Sequence, residues 1–262
     1  MGFFYFYTFN SSIHIMNIKQ YLDSTYLKTA SQANLSEIEN TKVVENFINE
    51  AISEEFKLVM VRPDKVQMAK KMIDEANSKV LIGTVIDFPE GNSSLEIKIE
   101  EAQEAINNQA DELDFVINYE AFKRGEVALI KAEIIACAQL GLSHKKAVKF
   151  IIEVAALTNH QIIQVSVLIK NTIITNFKED NFAHVFVKSS TGFYKTPNNL
   201  PNGATIETII LMLENSYPLP VKAAGGVRTL DEVLVMLRLG VKRIGTSAAK
   251  TIADGNVSAE NY

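Results

Sequence analysis

From Tyr21 onward the chain repeats one pattern: a short apolar run, then a longer stretch whose apolar residues recur at helical spacing. Each run is too short for a helix and suits a strand buried on both faces of a parallel sheet. The runs predict strands near 21–25, 57–61, 79–87, 112–118, 149–155, 184–189, 220–224 and 242–245. The stretches between them carry helix-start signals. Asn34 with Glu37, Ser93 with Glu96, Thr158 with Gln161 and Thr229 with Glu232 read as capping boxes, and Pro63 suits a first helical position. Gly141 and Gly240 fall where helices should stop. Over 35–51, Ile38, Val44, Phe47, Ile48 and Ala51 share one face, leaving Glu39, Lys42, Glu45 and Asn49 outward.

Eight strand-then-helix units in 262 residues predict a single-domain α/β protein, a (β/α)8 TIM barrel over residues 17–262. An open doubly wound sheet is the alternative, but no G-x-G-x-x-G follows the first strand and there is no P-loop. Residues 1–16 stand apart from the repeat. They hold no Lys, Arg, Asp or Glu, and Phe3, Phe4, Tyr5, Phe6, Tyr7 and Phe9 crowd their start. A signal peptide should begin with basic residues, yet the first is Lys19. N-myristoylation needs Ser or Thr where Phe6 stands, and Asn10, Ser11, Ser12, His14 and Asn17 interrupt any membrane span. The segment is read as an extension translated from a start upstream of Met16, outside the barrel.

Composition narrows the partners. A net charge of −5 argues against nucleic acid, which needs a clustered excess of Lys and Arg. One cysteine, Cys137, forms no intrachain disulfide and points to the reducing cytoplasm. It falls on a predicted helix among Ile134, Ile135 and Leu140, and reads as core. Met60, Met68 and Met72 likewise fit helix or strand interiors. His14, His144, His160 and His184 are scattered, without metal-ligand spacing.

Three ionisable residues interrupt otherwise apolar runs: Asp114, Lys188 and Lys222. Each alone reads as readily as a structural residue, a strand end reaching solvent or half of a static ion pair, as it does as a functional group. Three of them on separate strands, converging on the carboxyl-end mouth of one barrel, favour an active site. A lysine attacks a carbonyl only as the neutral amine, about 0.04% of it at pH 7 with a pKa of ~10.4. A second ammonium ~4 Å away, at roughly 4 kcal/mol, would raise that fraction to tens of per cent. The carboxylate then serves proton transfer. Ser190-Thr191-Gly192 follows Lys188, Gly225-Gly226-Val227-Arg228 follows Lys222, and Gly245-Thr246-Ser247 follows the last strand. Backbone N–H groups and hydroxyls therefore gather on the loops where barrels hold phosphate.

These residues resemble the deoxyribose-phosphate aldolase family of class I aldolases, from about Tyr21 to Ser247. Val187 to Phe193 is similar to the family's Schiff-base motif, Val221 to Arg228 to its second-lysine motif, and Asp111 to Asp114 to its acidic strand. Leu22 to Leu27 is similar to its first-strand motif, whose Asp and Thr, here Asp23 and Thr25, serve the second lysine and the substrate. The resemblance implies reversible cleavage of 2-deoxy-D-ribose 5-phosphate to acetaldehyde and D-glyceraldehyde 3-phosphate. Lys188 would form the imine, Lys222 would lower its pKa, and Asp114 with a water would relay protons. Gly192, Gly225, Gly226 and Ser247 would hold the phosphate, with Thr191, Arg228 and Gly245 beside them. No metal or organic cofactor is implied, and a homodimer is the implied assembly.

The chain departs from the family pattern at several positions. Asp87 stands where the family usually shows Gly, Glu90 where it has an uncharged or basic residue, Met60 for a frequent Cys, and Ala248 for a hydroxyl residue. The chain ends in Tyr262, as some members do. Two other readings stay open: an imine-forming aldolase for another sugar phosphate, and a non-catalytic sugar-phosphate-binding barrel.

Overall fold

The computed structural model describes residues 17–255. The expected extension over residues 1–16, and Tyr262, lie outside the described residues. Eight parallel strands close into a barrel: β1 (Leu22–Thr25), β2 (Leu58–Val61), β3 (Leu81–Ile86), β4 (Glu112–Val116), β5 (Ala147–Ile151), β6 (Val185–Lys188), β7 (Val221–Ala224) and β8 (Arg243–Thr246). Leu22 of β1 pairs with Ile244 of β8 and shuts the ring. A helix follows each strand: α1 (Glu37–Glu54), α2 (Val66–Glu75), α3 (Leu95–Asn107), α4 (Val127–Ser143), α5 (Asn159–Asn176), α6 (Ile206–Ser216), α7 (Leu230–Leu239) and α8 (Ala249–Ala253). Nearly every strand residue is buried, as continuous apolar runs between a packed interior and a helical shell require. Among the described residues no helix is long and apolar enough to cross a membrane.

The caps at Thr158 and Thr229 form complete capping boxes, Pro63 opens the turn before α2, and Gly240 ends α7 with φ +114°. Other expected signals shift. Ser36 with Glu39, and not Asn34 with Glu37, caps α1, because both pairs share the spacing and Asn34 instead closes the preceding short helix with φ +55°. Ser94, not Ser93, caps α3, since the Ser93 N–H and hydroxyl both donate to Asp87. Gly141 lies inside α4, where an added Cβ would sit 2.3 Å from Val148; it lets the helix press onto β5. Ile38 is 72% exposed, and the inner face of α1 begins with Asn40, which accepts the buried Tyr26 hydroxyl at 2.7 Å. The fifth strand runs over 147–151 instead of 149–155, which bears directly on the site.

The barrel interior is divided. Toward β1–β3 it is filled by Leu27, Leu58, Met60 and Val85, capped by Phe88 and Phe193. Gly83 leaves the room that Met60 occupies, since a Cβ there would lie 2.5 Å from the Met60 Cε. From β4 round to β1 the interior is charged.

Candidate active site

Strand register assembles the charges. Asp114 on β4 pairs with Lys149 on β5, Lys188 on β6 with Lys222 on β7, and Lys222 with Arg243 on β8. Residues paired across parallel strands point to the same face, so all of these enter the barrel. Lys149 Nζ lies 2.6 Å from both Asp114 and Glu112. Arg243 joins Glu112 at 2.9 Å to Asp23 at 2.5 Å. Lys222 closes the circuit, 2.6 Å from Asp23 and 3.0 Å from Asp114. Drawn as ions, the carboxylates Asp23, Glu112 and Asp114 balance the cations Lys149, Lys222 and Arg243. Isolated buried charges are too costly to keep, and this ring leaves none uncompensated.

Lys188 is the odd cation. Its Nζ reaches Asp114 Oδ2 at 2.8 Å, the same oxygen that Lys222 holds. Burial pushes its ammonium down to about 8; Asp114 opposes, while Lys222 and then Lys149 add to the depression. At a pKa near 8 about a tenth of the amine is neutral at pH 7, hundreds of times more than for a free lysine. The sequence reading attributed activation to the second ammonium; in the structure desolvation comes first and Lys222 reinforces it. Asp114 shows the opposite balance. Burial pushes its carboxyl up, but Lys149, Lys188 and Lys222 together hold it well below the usual carboxylate range. Lys149 and Arg243 likewise hold Glu112 down to about 2 against its burial. Asp114 is thus a fixed acceptor and Lys188 the group that gives up its proton.

Above Lys188 a cleft opens at the carboxyl ends of the strands. Thr25, Thr191, Gly192 and Arg228 line it, as do Gly225, Gly226, Gly245 and Ser247. Asp23 lies beneath it, fully buried between Lys222 and Arg243. Gly192, Gly225 and Gly226 all have φ of 82–83°, the left-handed backbone of an anion-cradling turn. Gly245 has a different reason to be glycine: an added Cβ would stand 3.1 Å from the Lys222 Cε. Thr25 donates its hydroxyl to the Asp23 carbonyl at 2.9 Å. Ala248 is buried at the start of α8 and does not line the cleft.

Some site residues escaped the sequence reading. Lys149 interrupts the apolar run 147–151 as plainly as Lys188 does its own, but a strand placed over 149–155 put it at the entrance. Glu112 and Asp114, two apart on β4, are the period-two signature of a shared face. Arg243 opens β8 and carried no motif. Asn202 also lines the cleft and donates to the carbonyls of Gly192 and Tyr194, at 3.1 and 3.2 Å. The departing Asp87 touches no residue of the ring: with φ +51° it takes the conformation a glycine would, binds Ser93, and lies 3.3 Å from Lys98. Burial pushes the Cys137 thiol up and leaves it a packing residue. Among the described residues no group of three or more His, Cys, Asp or Glu side chains is placed to hold a metal ion.

Comparison with known proteins gives the family. Deoxyribose-phosphate aldolase from Thermococcus gammatolerans is 35% identical over 246 residues, 94% of this chain and 99% of that one. The enzyme of the same name from Streptococcus pneumoniae is 36% identical over 248 residues, 94% of this chain and 100% of that one. A structure from Coccidioides immitis, provisionally assigned as a deoxyribose-phosphate aldolase, superposes with a TM-score of 0.74 at 31% identity, covering 92% of this chain and 86% of that one. The tetrameric deoxyribose phosphate aldolase of Aeropyrum pernix shares the fold, with a TM-score of 0.71 at 24% identity over 90% of this chain and 89% of that one. A family model described as DeoC/LacD family aldolase matches residues 19–259, which takes in every strand, the charged ring and the cleft; the chain belongs to that family.

Proposed function

We propose that the protein catalyses reversible aldol cleavage of 2-deoxy-D-ribose 5-phosphate to acetaldehyde and D-glyceraldehyde 3-phosphate through a Schiff base on Lys188. The observation that carries this reading is the single supernumerary lysine of a balanced ring, opening onto a cleft lined by glycine N–H groups. The family and the names of the curated relatives support the same substrate.

The neutral Lys188 amine adds to the C1 carbonyl, and loss of water with uptake of one proton, supplied by Lys222, gives an iminium. Its positive charge forms beside Asp114 Oδ2, 2.8 Å from Nζ, which is already ionised and needs no reorganisation. The C2–C3 bond then breaks: its electron pair flows to the iminium nitrogen as an enamine, and the C3 hydroxyl passes its proton through a water to the Asp114–Lys222 pair as C3 becomes the aldehyde of the released triose phosphate. Protonation of the enamine at C2 and hydrolysis free acetaldehyde and regenerate the amine. Lys222, bound to the same Asp114 oxygen, is the proton donor within reach. Gly192, Gly225, Gly226, Ser247 and Arg228 hold the phosphate, with Thr25, Thr191 and Gly245 completing the wall.

On this reading the partner is a small phosphate ester and not a nucleic acid, the compartment is the cytoplasm, and no metal or organic cofactor takes part. The implied homodimer is tested by sedimentation. Acetaldehyde release from deoxyribose 5-phosphate, undiminished by EDTA, is the expected result. Release only from a ketose phosphate would favour the alternative aldolase, and tight binding without release would favour a non-catalytic barrel.

A further inference from the structure

Glu153 follows β5 and takes no part in the charged ring. It is 1% exposed, and its backbone lies in the left-handed region at φ 54°, ψ 69°, which a residue with a side chain adopts only under constraint. The constraint comes from the loop after β6. Glu153 Oε2 accepts the Thr191 N–H at 3.1 Å and also accepts the Thr191 hydroxyl. Thr191 Oγ1 in turn accepts the Phe193 N–H at 3.0 Å. The next residue continues the tie, Val154 N–H donating to the Ser189 carbonyl at 2.9 Å.

A hydroxyl has one proton and two acceptor positions. At Thr191 the proton is committed to Glu153 and one acceptor position to Phe193. Thr191 lines the cleft together with Lys188 and Gly192, so what it offers a ligand there is a lone pair. A phosphate oxygen, itself an acceptor, gains nothing from that lone pair. A substrate hydroxyl does.

We propose that Glu153 is a positioning residue acting through Thr191: by binding the Thr191 proton it turns that hydroxyl into an acceptor for the sugar C4 hydroxyl and away from the phosphate. The proposal rests on the aldolase reading and deepens it to the choice of aldehyde. The C3 hydroxyl, bonded to the carbon whose bond breaks, belongs with the proton chemistry of Asp114 and Lys222. The C4 hydroxyl lies one carbon further toward the phosphate, and in the chain Thr191 stands between Lys188 and Gly192, all three of which line the cleft. Burial pushes the Glu153 carboxyl up to about 7; its Thr191 hydrogen bonds and Lys188 on β6 draw it down, and Glu90 after β3 pushes it up. Tyr119, at the turn after β4, feels the Glu153 charge in return. The ionised carboxylate is the stronger acceptor, so the grip on Thr191 is firmest above about pH 7 and slackens below it.

The test runs the reaction toward synthesis, with acetaldehyde and either D-glyceraldehyde 3-phosphate or the same phosphorylated aldehyde lacking its α-hydroxyl. Glu153→Ala and Thr191→Val should each lower kcat/KM about tenfold for the hydroxylated aldehyde and less than about twofold for the other. The double variant should be no worse than either single one. Inhibition by inorganic phosphate should not change. Glu153→Gln, whose amide oxygen can accept both Thr191 donors, should recover most of the loss, and the wild-type preference for the hydroxylated aldehyde should shrink as pH falls below about 7. Equal losses on both aldehydes, additive losses, or weakened phosphate inhibition would overturn the proposal. Wild-type protein that consumes neither aldehyde would overturn the aldolase reading itself, and Glu153 with it.

Discussion

Among the described residues Lys98, Lys149, Lys188 and Lys222 are buried against carboxylates, and the contrast between Lys98 and Lys188 shows what equips one of them to react. Lys98, on α3 outside the barrel, donates to the Gly91 and Val116 carbonyls at 3.0 and 2.7 Å and to Glu133 at 2.9 Å, with Asp87 at 3.3 Å. All three of its protons have acceptors and its charge faces two carboxylates. Lys188 has one acceptor among the described residues, an Asp114 oxygen shared with Lys222. The ring beside it is already neutral, so its proton is the one whose loss leaves the barrel interior balanced. The acceptor count and the local charge balance, more than burial as such, separate a structural lysine from a nucleophile.

Substitutions that exchange these roles break the comparison most directly. Lys188→Met should reduce turnover by at least ~10⁴-fold. Because it removes a buried cation without a counter-ion of its own, stability in urea should hold or rise. Lys98→Met should do the reverse. It leaves Glu133 and Asp87 without their cation, so unfolding free energy should fall by about 3–5 kcal/mol while kcat per folded molecule stays within about twofold.

A subtler change tests the charge balance. Lys149 helps depress Lys188, so Lys149→Met leaves the ring one positive charge short and should raise the Lys188 pKa. The free amine is the nucleophile, so wild-type kcat/KM should rise as pH increases through about 8 and then level off. In the variant the same limb should move to higher pH. A limb that stays in place would show that ring charge does not govern Lys188. The smallest effect is expected at Asp87→Gly, which gives up contacts with Ser93 and Lys98 but relieves a positive φ; a net stability change below about 1 kcal/mol is expected.

The barrel was legible from eight apolar runs because strands buried on both faces have no polar alternation to obscure them. Boundaries were less so, and one mattered: two residues of error in β5 hid Lys149 at a strand entrance. Asp114, Lys188 and Lys222 stood out by interrupting apolar sequence, and strand register brings them together. The closure of the ring through Glu112, Arg243 and Asp23 was not legible, since it depends on register across β8 and β1, far apart in the chain. The Glu153–Thr191 tie joins residues from two different loops and has no local signal.

The central claim is that Lys188, and no other lysine of the ring, forms the covalent intermediate. Borohydride reduction in the presence of deoxyribose 5-phosphate or acetaldehyde, followed by peptide mass spectrometry, tests it most directly. The account predicts a mass increment confined to the peptide containing Lys188, with a trapping rate that climbs through about pH 8. An increment on Lys149 or Lys222, or no increment in an enzyme that still releases acetaldehyde, would contradict it.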